Sequence, residues 1–306
     1  MDRRDLLVNA ASLAAGAGLA LSSVRPAKAA SPQSSSASHA RVVTADGTAL
    51  FVRDRGQGAP VLFVHSWALN SAMWDYQITP LLGQGYRCIA YDRRGHGRSD
   101  EPAQGYDFDT LADDLATVID TLDLDGITLV GHSMGCSEIV RYLTRHGGAK
   151  VARVVLLSPT TPFILKTDDN PQGVDGAFFD AVRGQWASDF PKWVDDNAAP
   201  FVVAETSQGM RDWLRQMMMV SSLPVLIACN KSLVETDFRH ELTTLTVPVL
   251  LIHGDHDAST PVALTGQPTA TLLRHVDFKL YQGAPHGLFV THMGRVNADI
   301  VQFVKT

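Results

Sequence analysis

The chemistry-bearing feature of this chain is the pentapeptide Gly131-His132-Ser133-Met134-Gly135, which fits the pattern Gly-x-Ser-x-Gly. That pattern lifts a serine out on a tight strand-to-helix turn, and its glycines prevent collisions around the turn. The context here fits: an apolar run, Ile127 to Val130, leads in, and Ile139, Val140 and Leu143 follow at helical spacing. Ser133 therefore falls at a helix N-terminus. A serine hydroxyl is a weak nucleophile at neutral pH, so it needs a base within hydrogen-bond reach and a carboxylate that holds the base in the useful tautomer.

Candidates for both lie downstream. Asp257, in His253-Gly254-Asp255-His256-Asp257, sits just past the apolar run Val247 to Ile252, and is read as the acid. Asp255 is its rival, but its place suits a turn-capping carboxylate better. Among eleven histidines, His286 in Gly283-Ala284-Pro285-His286-Gly287 stands between the last strand-like run and the last helical one, and is read as the base. His65, His132 and His253 also adjoin apolar runs and are read as loop hydrogen-bonding residues. An acyl intermediate needs two donors on its oxyanion, expected from the backbone N–H groups of Met134 and of Trp67 in His65-Ser66-Trp67. The Trp67 side chain is a candidate wall of the acyl pocket, with simple packing as the alternative.

Positioning these groups requires a layered fold. Two short extended runs, Arg41 to Thr44 and Ala49 to Asp54, flank Asp46-Gly47 and predict a hairpin. Val61 to His65, Tyr86 to Tyr91, Ile127 to Gly131, Val151 to Ser158, Val247 to His253 and Val276 to Tyr281 are apolar runs of strand length, so a mostly parallel sheet buried on both faces is expected. Phe108, Leu111, Leu115, Val118, Ile119 and Leu122 recur at three and four, which predicts a crossover helix. A final helix is expected from about His286 onward. Residues 159–241 lack a strand pattern and hold Trp186, Trp193, Trp213 and several phenylalanines, which predicts a helical cap inserted into a core of 41–158 and 242–306.

Composition removes several classes of function. The 306 residues are 45% hydrophobic and carry a formal net charge of −6, so no basic face is available for nucleic acid or for an anionic membrane. Cys88, Cys136 and Cys229 have no metal-ligand spacing and read as reduced core residues. No metal, nucleotide or other cofactor is expected. Arg3-Arg4, the Ala/Gly-rich apolar run Leu6 to Leu21 and Ala27-Lys28-Ala29 together predict a cleaved twin-arginine signal over residues 1–29 and export to the periplasm or medium. The run is too short and too weakly apolar for a stable membrane span. The Ser-rich stretch within 30–40 predicts a flexible linker.

The chain resembles the bacterial cofactor-free haloperoxidases and aryl esterases of the α/β-hydrolase superfamily. Five blocks carry the likeness: Leu62 to Trp67, Tyr91 to Ser99, Gly131 to Gly135, His253 to Asp257, and Gly283 to Leu288. The Arg141-Tyr142 pair narrows it to this branch. The resemblance implies an α/β-hydrolase fold, with an eight-stranded sheet, an antiparallel N-terminal hairpin and helices on both faces. It also implies hydrolysis of small or aromatic carboxylic esters through an acyl-enzyme on Ser133, with side perhydrolysis in which peroxide replaces water. Two positions depart from the family pattern. Ser66 stands where members carry Gly, and Ala68 stands where perhydrolysing members often carry Pro, which argues against efficient perhydrolysis. A lactonase, a thioesterase, a C–C bond hydrolase or a non-catalytic binding scaffold would keep the same residues.

Overall fold

The structure, a computed structural model, describes residues 39–305. The signal expected over 1–29 and most of the expected linker lie outside the described residues. His39 and Ala40, assigned to the linker from sequence, already belong to the first strand.

In chain order the elements are β1 (His39–Val43), β2 (Ala49–Arg55), β3 (Pro60–Val64), α1 (Asp75–Leu82), β4 (Arg87–Tyr91), α2 (Phe108–Thr121), β5 (Ile127–His132), α3 (Met134–His146) and β6 (Val151–Leu157). An insertion then carries α4 (Gly176–Asn197), α5 (Gln208–Met218) and α6 (Leu223–Glu235), followed by α7 (Arg239–Thr244). The chain returns through β7 (Val249–Gly254), α8 (Gly266–Leu272) and β8 (Val276–Tyr281), and closes with α9 (Leu288–Thr291) and α10 (Met293–Phe303).

The strands form one eight-stranded sheet in the order β1-β2-β4-β3-β5-β6-β7-β8. β1 and β2 pair antiparallel, as do β2 and β4, and the remaining pairs are parallel. Alternation along the strands divides the core between the two faces. Leu62, Val64, Leu129, Val154 and Leu251 pack with Leu111, Leu115 and Val118 of α2 and Ile139 and Val140 of α3. Val61, Phe63, Val130, Val155 and Ile252 pack on the other side with Ile78 of α1, Phe289 of α9 and Ile300 of α10. Each such apolar side chain, fully withdrawn from water, contributes about 1.5–3 kcal/mol.

Two sequence expectations are refined. The single final helix is broken at His292, whose φ of −119° leaves the helical region, so α9 and α10 are separate elements. The boundary drawn at 241/242 falls inside α7, a helix that lies against α3 and α8. Arg141 secures this flank by pairing with Asp109 of α2 at 3.0 Å and Glu241 of α7 at 3.1 Å.

Candidate active site

Register explains how distant residues meet. Val64 pairs with Gly131, His132 with Leu157, Leu157 with Ile252, and Gly254 with Tyr281. The carboxyl ends of β3, β5, β6, β7 and β8 are therefore level, and the loops after them open along one sheet edge. Trp67, Ser133, Asp257 and His286 all stand in these loops or turns, where open α/β sheets place ligands.

Ser133 occupies the single-residue turn between β5 and α3 with φ 55° and ψ −119°, a left-handed backbone that costs a non-glycine residue about 1–3 kcal/mol. Its N–H donates to the Leu157 carbonyl at 2.9 Å, which locks the turn to β6. Its hydroxyl does not cap its own helix. The turn is so tight that a Cβ on Gly135 would lie 2.3 Å from the Val64 carbonyl oxygen, and one on Gly131 would lie 2.9 Å from the Cys136 nitrogen. Met134 is the first residue of α3, so its N–H has no acceptor within the helix.

Asp257 and His286 are brought together directly. Asp257 Oδ2 lies 2.7 Å from His286 Nδ1, with both residues buried. Asp257 Oδ1 accepts the N–H groups of Ser259 (3.0 Å) and Thr260 (2.7 Å), and Oδ2 also accepts the Thr260 hydroxyl at 3.0 Å. Burial alone would raise the Asp257 pKa. The facing charge of His286 and the donors around the carboxylate overcome it and hold Asp257 well below the usual carboxylate range. Asp255, the rival, is exposed and accepts the Gly283 N–H at 2.6 Å, so it caps the turn after β8. The ring of His132 packs on that of His286 at 4.7 Å, and its Nε2–H donates to the His286 carbonyl at 2.9 Å. His286 is thus pinned to the residue immediately before Ser133. Burial, then the His286 charge, lowers the His132 pKa to about 3, so it is an uncharged clamp at neutral pH.

The loop after β3 is held from beneath. Arg93 and Glu138 form a fully buried ion pair, with Nε to Oε2 at 2.6 Å, and the Tyr91 hydroxyl also bonds Glu138. Arg93 Nη2 donates to the His65 carbonyl at 2.8 Å, and the Arg93 N–H donates to His65 Nε2 at 2.9 Å. His65 Nδ1 then carries the proton and donates it to the Ser66 carbonyl at 2.7 Å. Because Glu138 rides on α3, this network ties the loop bearing Trp67 to the helix that begins beside Ser133. The Ser66 N–H points at the Met73 sulfur, 3.4 Å away, and among the described residues no carbonyl accepts the Trp67 N–H. Ala68 has φ 59°, a conformation that proline, fixed near −65°, does not reach.

Trp67's indole serves the insertion. Its Nε1–H donates to the Leu226 carbonyl of α6 at 2.9 Å, and its ring packs tilted against Trp186 with centroids 4.7 Å apart, with Phe190 and Trp193 edge-on at 6.3 Å. Phe201, between α4 and α5, accepts the Gly287 N–H at 2.8 Å and sets its ring 5.6 Å from His286. A surface cleft of about 460 Å³ between Leu143–Gly148 and His240–Val247 lies at the far end of α3 and contains none of these groups. Sequence reasoning overlooked Thr260 and the Arg93–Glu138 pair, and it counted Phe201 only among the aromatics of the insertion that could line an apolar pocket, without its bond to Gly287. Only the Tyr91 to Ser99 block signalled any of them, and it gave no role.

The chain belongs to the α/β-hydrolase fold family, whose profile matches residues 59–215. Within that class its relatives are those the motifs resemble. It is 40% identical over 275 residues to a non-heme chloroperoxidase of Streptomyces lividans, covering 87% of this chain and 99% of that protein. It is 35% identical over 277 residues to a bifunctional esterase/perhydrolase of Acinetobacter calcoaceticus, covering 87% and 99%. The solved structure of a bromoperoxidase from Bacillus anthracis superposes with a TM-score of 0.84 at 32% identity, covering 88% of this chain and 100% of that one. An esterase from Exiguobacterium antarcticum gives 0.84 at 30% identity, covering 87% and 99%.

Proposed function

We propose that the protein is a serine hydrolase of small or aromatic carboxylic esters. The observation that carries this reading is the buried 2.7 Å bond between Asp257 and His286, with His286 clamped to the residue beside the strained Ser133. In the mechanism, Ser133 attacks the ester carbonyl as His286 takes its proton. The oxyanion forms against the N–H groups of Met134 and Trp67, the alcohol leaves with the proton from His286, and water activated by His286 releases the acid. Asp257 stabilises the imidazolium throughout. The relatives named as chloroperoxidase and esterase/perhydrolase support a side reaction in which peroxide takes the place of water and yields a peracid. The aromatic cluster of Trp67, Trp186, Phe190 and Trp193 suits an apolar or aryl acyl group, with the insertion over 159–241 acting as the cap.

The deciding experiment is turnover of p-nitrophenyl esters of increasing acyl length by the wild type and Ser133→Ala. A folded variant that loses at least about a thousandfold in kcat supports the nucleophile. Retained activity on short esters would sink it. Export through the twin-arginine route, proposed from residues 1–29, is tested by fractionating cells that carry Arg3→Lys together with Arg4→Lys. Unchanged periplasmic recovery counts against that route.

A further inference from the structure

We propose that His253 is a second histidine on the carboxylate of Asp257, a positioning residue that sets the pH range over which His286 serves as base. The inference rests on the reading of Asp257 and His286 given above and deepens it.

His253 is the penultimate residue of β7 and is fully buried. Its Nε2 lies 2.8 Å from the Thr260 carbonyl oxygen and 3.3 Å from Asp257 Oδ2. A carbonyl oxygen only accepts, so Nε2 must carry a proton, which it donates to the Thr260 carbonyl with Asp257 Oδ2 alongside at 3.3 Å. The opposite nitrogen, Nδ1, is buried and has no hydrogen-bond partner. It abuts Gly266, where a Cβ would lie 2.4 Å from it. The ring is therefore a one-proton donor wedged by α8 against the acid, in a tautomer fixed by its surroundings.

Oδ2 is already a shared acceptor, and the Nε2–H dipole of His253 lies close beside it. It receives Nδ1 of His286 and the Thr260 hydroxyl, with Nε2 of His253 at 3.3 Å, while Oδ1 receives two backbone N–H groups. Each donor draws on negative charge that would otherwise stabilise the imidazolium of His286. The titratable groups facing the carboxylate are His286 from the loop after β8 and His253 from β7, with His132 of β5 beyond them. His253 thus keeps Asp257 ionised and aimed at His286, and also restrains how strongly Asp257 raises the basicity of His286.

The test follows the ring of His286 by NMR in the ¹⁵N-histidine-labelled full chain, with the resonance assigned by its loss in His286→Gln. In His253→Phe, which keeps an aromatic ring but no donor, the His286 titration midpoint should rise by about 0.5–1 pH unit, and the acid limb of kcat/KM on an ester should move with it. The Thr260 carbonyl keeps the Thr265 hydroxyl at 3.1 Å, so the substitution leaves no orphaned acceptor there. His253→Gln, which restores an amide donor, should return the midpoint to within about 0.2 unit of wild type. An unmoved midpoint in folded His253→Phe would overturn the proposal and leave His253 a core filler. Should His253→Phe not fold, Gly266→Ala displaces the same ring, and the same upward movement is required of it. Because the midpoint is read without substrate, a chain inert on every ester but showing the movement refutes the ester reading and supports the role of His253.

Discussion

Removing one member of the Arg93–Glu138 pair should be among the costliest single changes outside the apolar core. Both side chains are fully buried, and the 2.6 Å contact between them is the main compensation for withdrawing two charges from water. Arg93→Met leaves Glu138 charged, buried and bonded only to the Tyr91 hydroxyl. Breaking such a pair from one side costs about 3–5 kcal/mol. For a domain of this size each kcal/mol lowers the melting temperature by about 2 °C, so a fall of about 6–10 °C is expected. Neutralising the partner as well, in Arg93→Met/Glu138→Gln, removes the stranded charge and should recover all but about 2 kcal/mol. Turnover should part company with stability. The double variant has no guanidinium to hold the His65 carbonyl, so its kcat on a p-nitrophenyl ester should stay at least about tenfold low while KM changes little. Chemical denaturation of the four proteins gives the cycle, and the ester assay gives the rates. Single variants costing under about 1 kcal/mol, or a double variant as unstable as the sum of the two, would refute the argument.

Asp257→Asn should cut kcat by about 10³-fold or more, because it disturbs the tautomer of His286, whereas Asp255→Asn should stay within about tenfold; steady-state kinetics ranks them. His96 is buried with its Nδ1–H on the Arg94 carbonyl at 3.0 Å, and burial, then the Arg93 charge, lowers its pKa to about 3. Only the unfolded chain binds this proton between about pH 6.5 and 3, so the His96 contribution is intact above that window and falls by up to about 1.4 kcal/mol per unit as the pH drops through it. His96→Asn, which keeps a donor near Nδ1, should flatten the fall, as urea melts at pH 7, 6 and 5 would register. Ala68→Pro cannot hold φ at 59°, so it must rebuild the loop that presents the Trp67 N–H. It should change the ratio of perhydrolysis to hydrolysis, measured as peracid against free acid, and an unchanged ratio counts against the loop's role.

Much of this was legible in the chain itself, for a physical reason. Eight strands and the crossover helix were readable because the central runs are apolar enough to be buried on both sides and the half-exposed edge runs at β1 and β8 are set off by turn residues. The helix over Phe108–Thr121 matches its apolar spacing because its stripe lies against one sheet face. Ser133, Asp257 and His286 stood out because strand-end positions are few. What stayed hidden was pairing across long separations. Nothing local to Arg93 points to Glu138, and nothing near Phe201 points to Gly287, because only register and layer packing bring them together. The break at His292 escaped notice because the residue itself is neither proline nor glycine, and Gly294 two residues on is also compatible with a continuous helix.

The seam between insertion and core has a consequence for redesign. Leu226 accepts from the indole of Trp67, and Phe201 accepts from Gly287, so two backbone carbonyls of the insertion reach Trp67 in the loop after β3 and the residue that follows His286. A chimera that grafts a foreign 159–241 segment onto this core therefore exchanges part of the mounting of both loops along with the pocket wall. Substrate range in such hybrids should be re-engineered by repainting side chains on the inner surface of the native segment, while the two carbonyls are kept as fixed rivets.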